Sequence, residues 1–300
     1  MDRSADPVLA YLDLPGLFQE ADRASLAGQR RYVRLTGWRL VLAVLAAVAA
    51  TLTFTVGRRL DLAALATAFA FGAAAVLEQY LLREEPDRAW YDGRAVAESV
   101  KTLAWRYAVG ADPFPRSLAE GTADRLFDEQ LMLLLSDAPD KGLRPTGAPA
   151  ISPVMRAVRG QDLPGRRGAY LTGRIIDQQD WYLRKADRNR IWARRWRWLL
   201  FTLELLGVCG ALGRAAGLIS VDLTGILAAM VASGVAWLGV KQHDSLARAY
   251  TYASHELSTI RSRLETPLTE QQWAAEVRDA EEAISREHTM WRASRSALLP

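Results

Sequence analysis

An all-α integral membrane protein, with two transmembrane helical hairpins (four spans) and long cytoplasmic helices, is the fold class this 300-residue sequence predicts. Three observations predict it. Apolar runs come in pairs separated by short turns, Arg and Trp cluster at the ends of these runs, and the remaining segments carry apolar residues at helical three-four spacing. A mean hydropathy near zero hides this segregation into apolar and Arg-rich blocks. The net charge of +4 is concentrated beside the apolar runs, so it fits membrane orientation and argues against nucleic-acid binding.

In chain order, residues 1–36 carry Val8, Leu9, Leu12, Leu14, Leu17 and Phe18, interrupted by Pro15 and Gly16, then Arg30, Arg31 and Arg34. This pattern predicts a short helical lead-in at the membrane surface. The mixed-charge leader and the late start of the first apolar run, near Trp38, predict no cleavable signal peptide. The first hairpin is expected as Leu40–Val56, a turn through Gly57 to Asp61, and Leu62–Leu77, with Trp38 and Arg39 as interface anchors. Ala43 with Ala47, Ala46 with Ala50, and Ala66, Ala70 and Ala74 recur at four-residue spacing, and Thr51 and Thr55 lie one turn apart, which suits close helix packing.

Beyond Arg83 an amphipathic helix is expected, bent near Pro86, with Trp90, Ala97, Val100, Ala104 and Tyr107 on one face and Arg94, Glu98 and Lys101 on the other. Gly110 and Asp112-Pro113 end it. A helix over Ala123 to Leu135 and a loop-like linker from Pro139 to Pro153 divide the chain. The expected domains are therefore 1–115 and 166–300, each a two-span module, joined by 116–165.

From Tyr170 a helix runs through Arg184, Lys185, Arg188, Arg190, Arg194, Arg195 and Arg197 into the third span, Trp198–Gly213, which returns as Leu223–Val240. These 16 and 18 residues give roughly 24 to 27 Å of helix, enough for the ~30 Å hydrocarbon core once flanks snorkel. Trp196, Arg197 and Trp198 anchor the start of the third span, and Trp237 with Lys241 the far end of the returning helix. Two buried core helices of a soluble domain would explain one such pair, but the chain has two. Arg and Lys crowd residues 30–39, 83–88 and 184–197, whereas the hairpins carry only Arg58, Arg59 and Arg214, so both termini are expected in the cytoplasm. Beyond Lys241, Thr266-Pro267 turns the chain, and Thr269 with Gln272 forms a capping box, Leu268 stapling onto Trp273. The last helix presents a seam of Trp273, Val277, Ala280, Ile284 and Trp291. It pairs with the preceding helix within the chain or with another chain in a coiled coil.

No phosphate loop, dinucleotide fingerprint, zinc motif, C-x-x-C or nucleophile elbow occurs, so no enzyme and no cofactor is predicted. The single cysteine, Cys209, lies inside a span and can form no intrachain disulfide. His243, His255 and His288 have no ligand spacing, and Glu281 with Glu282 is expected on a solvated face. Glu204 remains, seven residues inside the third span. A carboxylate facing lipid costs roughly 2.5 to 3.5 kcal/mol on insertion scales. It either faces protein, water or a partner, with Ser233 or the Trp237 indole as donor, or snorkels beside Arg195 or Arg197.

The two halves suggest an internal duplication. Arg88-Ala89-Trp90, Arg94 to Lys101 and Trp105-Arg106-Tyr107 resemble the SLATT superfamily, bacterial two-span effector domains associated with SMODS nucleotidyltransferases and SLOG sensors. Arg174 to Gln178, Trp181-Tyr182, Lys185-Ala186 and Ala283 to Trp291 resemble another SLATT subtype. The resemblance implies a pore-forming or membrane-perturbing effector of prokaryotic defence that acts as an oligomer, with membrane lipid, further copies of the chain and a separate sensor or nucleotidyltransferase as partners. The alternative is a non-conducting membrane scaffold whose helices recruit a partner.

Overall fold

The computed structural model describes residues 8–56, 60–136, 147–219 and 223–296, with side chains as far as Ser285. The chain is almost wholly helical and divides into two compact units. A span unit comprises Gln29–Pro86 and Ala186–Arg248, and a core unit comprises Met1–Gly28, Asp87–Lys185 and Ala249–Pro300. The turn Gly57 to Arg59, Asp222, the linker prolines Pro139 and Pro145, and the side chains of His288 and Trp291 lie outside the described residues.

Four helices supply the spans: α1 (Gly16–Ala50), α2 (Leu62–Glu84), α7 (Asp177–Ala215) and α8 (Leu223–Lys241). Each contains an 18-residue apolar window, and these windows are only 11, 11, 0 and 6% buried. Phe69, Phe71 and Val76 on α2 and Trp198, Leu206 and Leu212 on α7 are all more than half exposed. So much outward apolar surface has lipid as its natural solvent, and the chain is a multi-pass membrane protein.

The first span is shorter than expected, because α1 stops at Ala50 instead of continuing to Val56. Thr51 and Leu52 close it with bonds to Val48 and Ala49. The alternation of β-branched residues in Thr-Leu-Thr-Phe-Thr-Val then favours an extended chain, and β1 (Thr55–Val56) pairs antiparallel with β2 (Leu60–Asp61). Thr51 and Thr55 are therefore not one helical turn apart. Asp61 caps α2, its carboxylate accepting from the amides of Ala63 at 2.9 Å and Ala64 at 3.4 Å. On α2 the buried alanines are Ala63 and Ala70, whereas Ala66 is exposed, so the packed stripe begins one turn before the anticipated one. The second hairpin ends α7 differently: Gly217 takes a positive φ of 72°, and Leu218 and Gly217 donate to Gly213 and Arg214. This is a Schellman motif, in which glycine supplies the left-handed residue without a Cβ penalty.

Both returning helices stop at a non-glycine residue in the left-handed region. Glu85 (φ 41°) follows α2 and precedes α3 (Pro86–Val109), and Gln242 (φ 49°) follows α8 and precedes α9 (His243–Leu264). The expected bend at Pro86 is thus a full stop and restart, with Pro86 at the first position of the new helix, where its missing N–H costs nothing. The recurrence of the same break at equivalent points of both halves gives the duplication a structural counterpart.

In the core unit, the start of α1 packs with α3, α4 (Glu120–Ser136), α5 (Pro153–Gly160), α6 (Leu163–Tyr170), the π-helical turn Leu171–Ile176, the start of α7, α9 and α10 (Glu270–Ser296). Leu9, Leu14, Phe18 and Ala21 are buried in this core, so the lead-in is a protein-packed element and not a membrane-surface helix. Its apolar stripe alone could not distinguish lipid from protein. Pro153 belongs to no linker either: Ser152 caps α5 through Met155 N–H and Pro153 occupies its first position.

The C-terminus of α3 is buried, and its last carbonyls need donors that water cannot supply. Gly110 (φ 70°) gives a Schellman closure, with Ala111 N–H on Arg106 O at 2.8 Å. Arg159 Nη1 donates to Tyr107 O at 2.9 Å and Phe114 O at 2.8 Å, and Arg166 Nη1 (2.8 Å) and Trp273 Nε1 (2.9 Å) donate to Val109 O. Two guanidinium groups at a helix C-terminus also complement its dipole. Arg166 pairs outward with Glu270.

Candidate functional site

In the span unit, Glu204 lies on α7, about 10 Å of helix rise beyond Arg197, and its side chain is exposed. Among the described residues it forms no hydrogen bond or ion pair, so neither Ser233 nor Trp237 serves as its donor. The register explains this. Gly234 of α8 packs against Leu200 of α7, where a Cβ would meet Leu200 Cδ2 at 2.6 Å, one helical turn before Glu204. Ser233 and Trp237 instead line an apolar groove of about 700 Å³ together with residues of α1 and α7.

The anchors are laid out at the span ends. Trp38 and Trp198 are exposed, and Trp196 and Trp237 are half-buried beside the groove. Arg39 pairs with Glu78 at 2.9 Å, Arg197 approaches Asp244 at 3.9 Å, and Lys241 lies 4.9 Å from the Trp237 ring centroid. Cys209 is exposed.

In the core unit, Trp273, Val277, Ala280 and Ile284 of the seam are buried, and the Thr269–Gln272 capping box is formed at 2.9 and 3.3 Å. The same helix carries a feature that sequence reasoning missed. Glu281, expected on a solvated face, is completely buried, and all four of its acceptor positions are used. Oε1 accepts from Tyr170 Oη at 2.9 Å and Arg174 Nε at 2.9 Å, while Oε2 accepts from Arg174 Nη2 at 2.7 Å and Thr102 Oγ1 at 2.8 Å. Arg174 is equally buried and sits in the π-helical turn, where a side chain at the neighbouring Gly173 would collide with Val8 and Trp105.

The electrostatics follow from burial. Desolvation pulls the Arg174 guanidinium down, but the Glu281 charge and hydrogen bonds outweigh it and hold Arg174 protonated, with its pKa raised. Burial and then the Glu281 carboxylate push the Tyr170 hydroxyl well above the phenol range, which keeps it a donor. Burial and then Arg174 push the nearby Lys101 down. Glu98, assigned by periodicity to an exposed face, is buried and pairs with Arg94 at 2.7 Å. The pair Glu281–Glu282 splits, one side chain inward and one outward, the two lying about 100° apart around the helix. The available signal was the i+4 step from Val277 and the i−3 step from Ile284, which place Glu281 on the flank of the apolar seam. Among the described residues no three His, Cys, Asp or Glu side chains converge as a metal-ligand set.

Two apolar hairpins, each returning through a left-handed break into a helix of the core unit, define a multi-pass helical membrane protein built from repeated two-span modules. Family comparison makes this particular: residues 15–167 match SMODS and SLOG-associating 2TM effector domain 3, and residues 170–291 match SMODS and SLOG-associating 2TM effector domain 1. The chain belongs to the SLATT superfamily and carries two tandem domains of different subtypes. No curated protein and no solved structure matches it. The Glu281 site draws on both matched segments, Thr102 coming from the first and Tyr170, Arg174 and Glu281 from the second.

Proposed function

We propose that this SLATT membrane effector acts as an oligomer that opens a cation-favouring pore, with Glu204 lining the path. The observation that carries this is Glu204 itself: an exposed carboxylate within an apolar span, without a partner in its own chain among the described residues. Left against lipid it would cost a few kcal/mol, and a second copy or an aqueous path removes that cost. Four spans per chain cannot both enclose an aqueous path and cover one another, so several copies form the ring. A ring of carboxylates then selects cations. The termini and the core unit lie in the cytoplasm of a bacterial cell, the spans in the inner membrane, and the core unit receives the signal from a separate sensor or nucleotidyltransferase. The chain performs no catalysis.

The test is reconstitution of the full-length protein in planar bilayers, together with growth on induced expression. Glu204→Gln is expected to insert normally while its reversal potential moves toward zero selectivity and growth arrest weakens. Val208, one turn beyond Glu204 and exposed, is expected to cross-link between copies as Val208→Cys once Cys209 is replaced by Ser. Sealed bilayers at every protein density, with no cross-link from position 208, would replace the pore with the scaffold.

A further inference from the structure

The groove lined by Ser233 has the dimensions and dressing of a lipid site. It lies within the span unit, between α1, α7 and α8, and has a volume of about 700 Å³. Arg34, Trp38, Trp196 and Trp237 stand at one end, and Leu45, Leu203 and Met230 at the other. Arg34 and Leu45 are 11 residues apart on α1, roughly 16 Å of rise, which is about half of the ~30 Å hydrocarbon core. The groove therefore runs from one interface to the bilayer midplane, the length of a single leaflet. Its walls are otherwise apolar, Ser233 apart, so water gains nothing there and hydrocarbon fills it.

The mouth specifies what that hydrocarbon is attached to. Arg34 is exposed and forms no ion pair among the described residues, whereas Arg39 at the same interface is matched by Glu78 at 2.9 Å. A guanidinium presents a planar fork of donors suited to phosphate oxygens, and a ring of tryptophans marks the headgroup level. We propose that the groove holds one acyl chain of an anionic glycerophospholipid from the leaflet on the side of the chain termini, with the lipid phosphate on Arg34. The bound lipid is a structural ligand of the paired hairpins, and this assignment does not depend on whether the oligomer conducts.

The experiment is native mass spectrometry of the full-length protein taken from nanodiscs of equimolar dioleoyl-phosphatidylglycerol and dioleoyl-phosphatidylcholine. One phospholipid is expected to remain per chain, with phosphatidylglycerol preferred about fivefold, as one arginine at a charged surface contributes about 1 kcal/mol. Arg34→Gln removes the charge at an exposed position without touching the walls, and is expected to bring the ratio to about one while a lipid is still retained. Val44→Trp fills the groove and is expected to abolish retention of both lipids. Excess inorganic phosphate is expected to displace nothing, which separates a lipid site from a free-anion site. A headgroup preference that survives Arg34→Gln, displacement by phosphate, or a tightly associated pair of chains carrying no lipid would each overturn the assignment.

Discussion

Removing one partner of the Arg174–Glu281 pair is predicted to cost more than removing both. In Glu281→Ala the guanidinium of Arg174, about 1% exposed, stays in the core with no counter-charge, and the hydroxyls of Tyr170 and Thr102 lose their acceptor. Breaking a buried pair in this way costs about 3 to 5 kcal/mol. At about 2 to 4 °C per kcal/mol for a unit of this size, that lowers the thermal midpoint by roughly 6 to 20 °C. Arg174→Met strands the carboxylate instead and falls in the same range. The double variant Arg174→Met/Glu281→Leu removes both charges and leaves two buried hydroxyls unsatisfied, each costing about 1 to 3 kcal/mol against the gain from an apolar pair. Its midpoint should lie between those of the wild type and the single variants. Adding Tyr170→Phe and Thr102→Val deletes the stranded hydroxyls and should bring the protein back near wild type. The assay is thermal unfolding of the full-length protein in detergent, followed by near-ultraviolet dichroism, with Trp105, Tyr170 and Trp273 packed around the site as reporters. A double variant whose loss equals the sum of the two single losses would refute the reasoning, because independent contacts add and a coupled buried pair does not.

Two further predictions concern topology and pH. With Cys209 replaced, a cysteine at Asp61 or Ala215 should react with a membrane-impermeant thiol reagent in intact cells, and one at Pro300 should not; the reverse pattern would invert the orientation. His243 has its pKa pushed below the ordinary 6.5 by burial and then by Lys241, with Asp244 opposing, and its Nδ1 lies 2.7 Å from Asn189 Oδ1. An amide oxygen only accepts, so the neutral ring donates from Nδ1. The folded protein then binds this proton less readily than the unfolded chain, so the contribution to stability is complete above pH 6.5 and declines as pH falls through the lower folded value. His243→Gln should flatten the unfolding midpoint between pH 7 and 5.5 relative to the wild type, and parallel curves would dismiss the histidine as the source.

What was legible in the sequence was what depends on solvent. Apolar blocks and their Arg/Trp borders declare lipid, and the Thr269–Gln272 box declares a helix start, because both are local patterns with one physical cause. The burial of the lead-in around Leu14 and Phe18 is not legible, because an amphipathic stripe is equally at home on lipid and on protein. Hydropathy alone carries the first span to Val56, because it does not register that alternating β-branched residues leave the helix at Ala50. The groove, made by α1 against the sequence-distant hairpin of α7 and α8, has no local signature at all.

The buried charges were hidden for a different reason. Arginines that border a span, such as Arg194 and Arg195, face outward, whereas Arg159, Arg166 and Arg174, which lie outside the basic runs at 30–39, 83–88 and 184–197, are each nearly inaccessible. A long guanidinium side chain is recognisable as a core residue only once its acceptors are known, and these lie far along the chain: 52 residues away at Tyr107 O, 57 at Val109 O and 107 at Glu281. In each case the acceptor is what an all-helical core makes scarce to satisfy, a helix's last carbonyls or a carboxylate in an apolar seam. The same shortage ties the two SLATT domains together, since Val109 O in the first accepts from Trp273 in the second and Glu281 in the second accepts from Thr102 in the first. Each of these acceptors also has a donor in its own domain, Arg166 for Val109 O and Tyr170 with Arg174 for Glu281, so the crossing bonds complete sites that each domain begins. The buried arginines thus find acceptors within their own segments, Arg159 and Arg166 in the first domain and Arg174 in the second, and what the tandem arrangement adds is a second donor at each site, Trp273 on Val109 O and Thr102 on Glu281 Oε2.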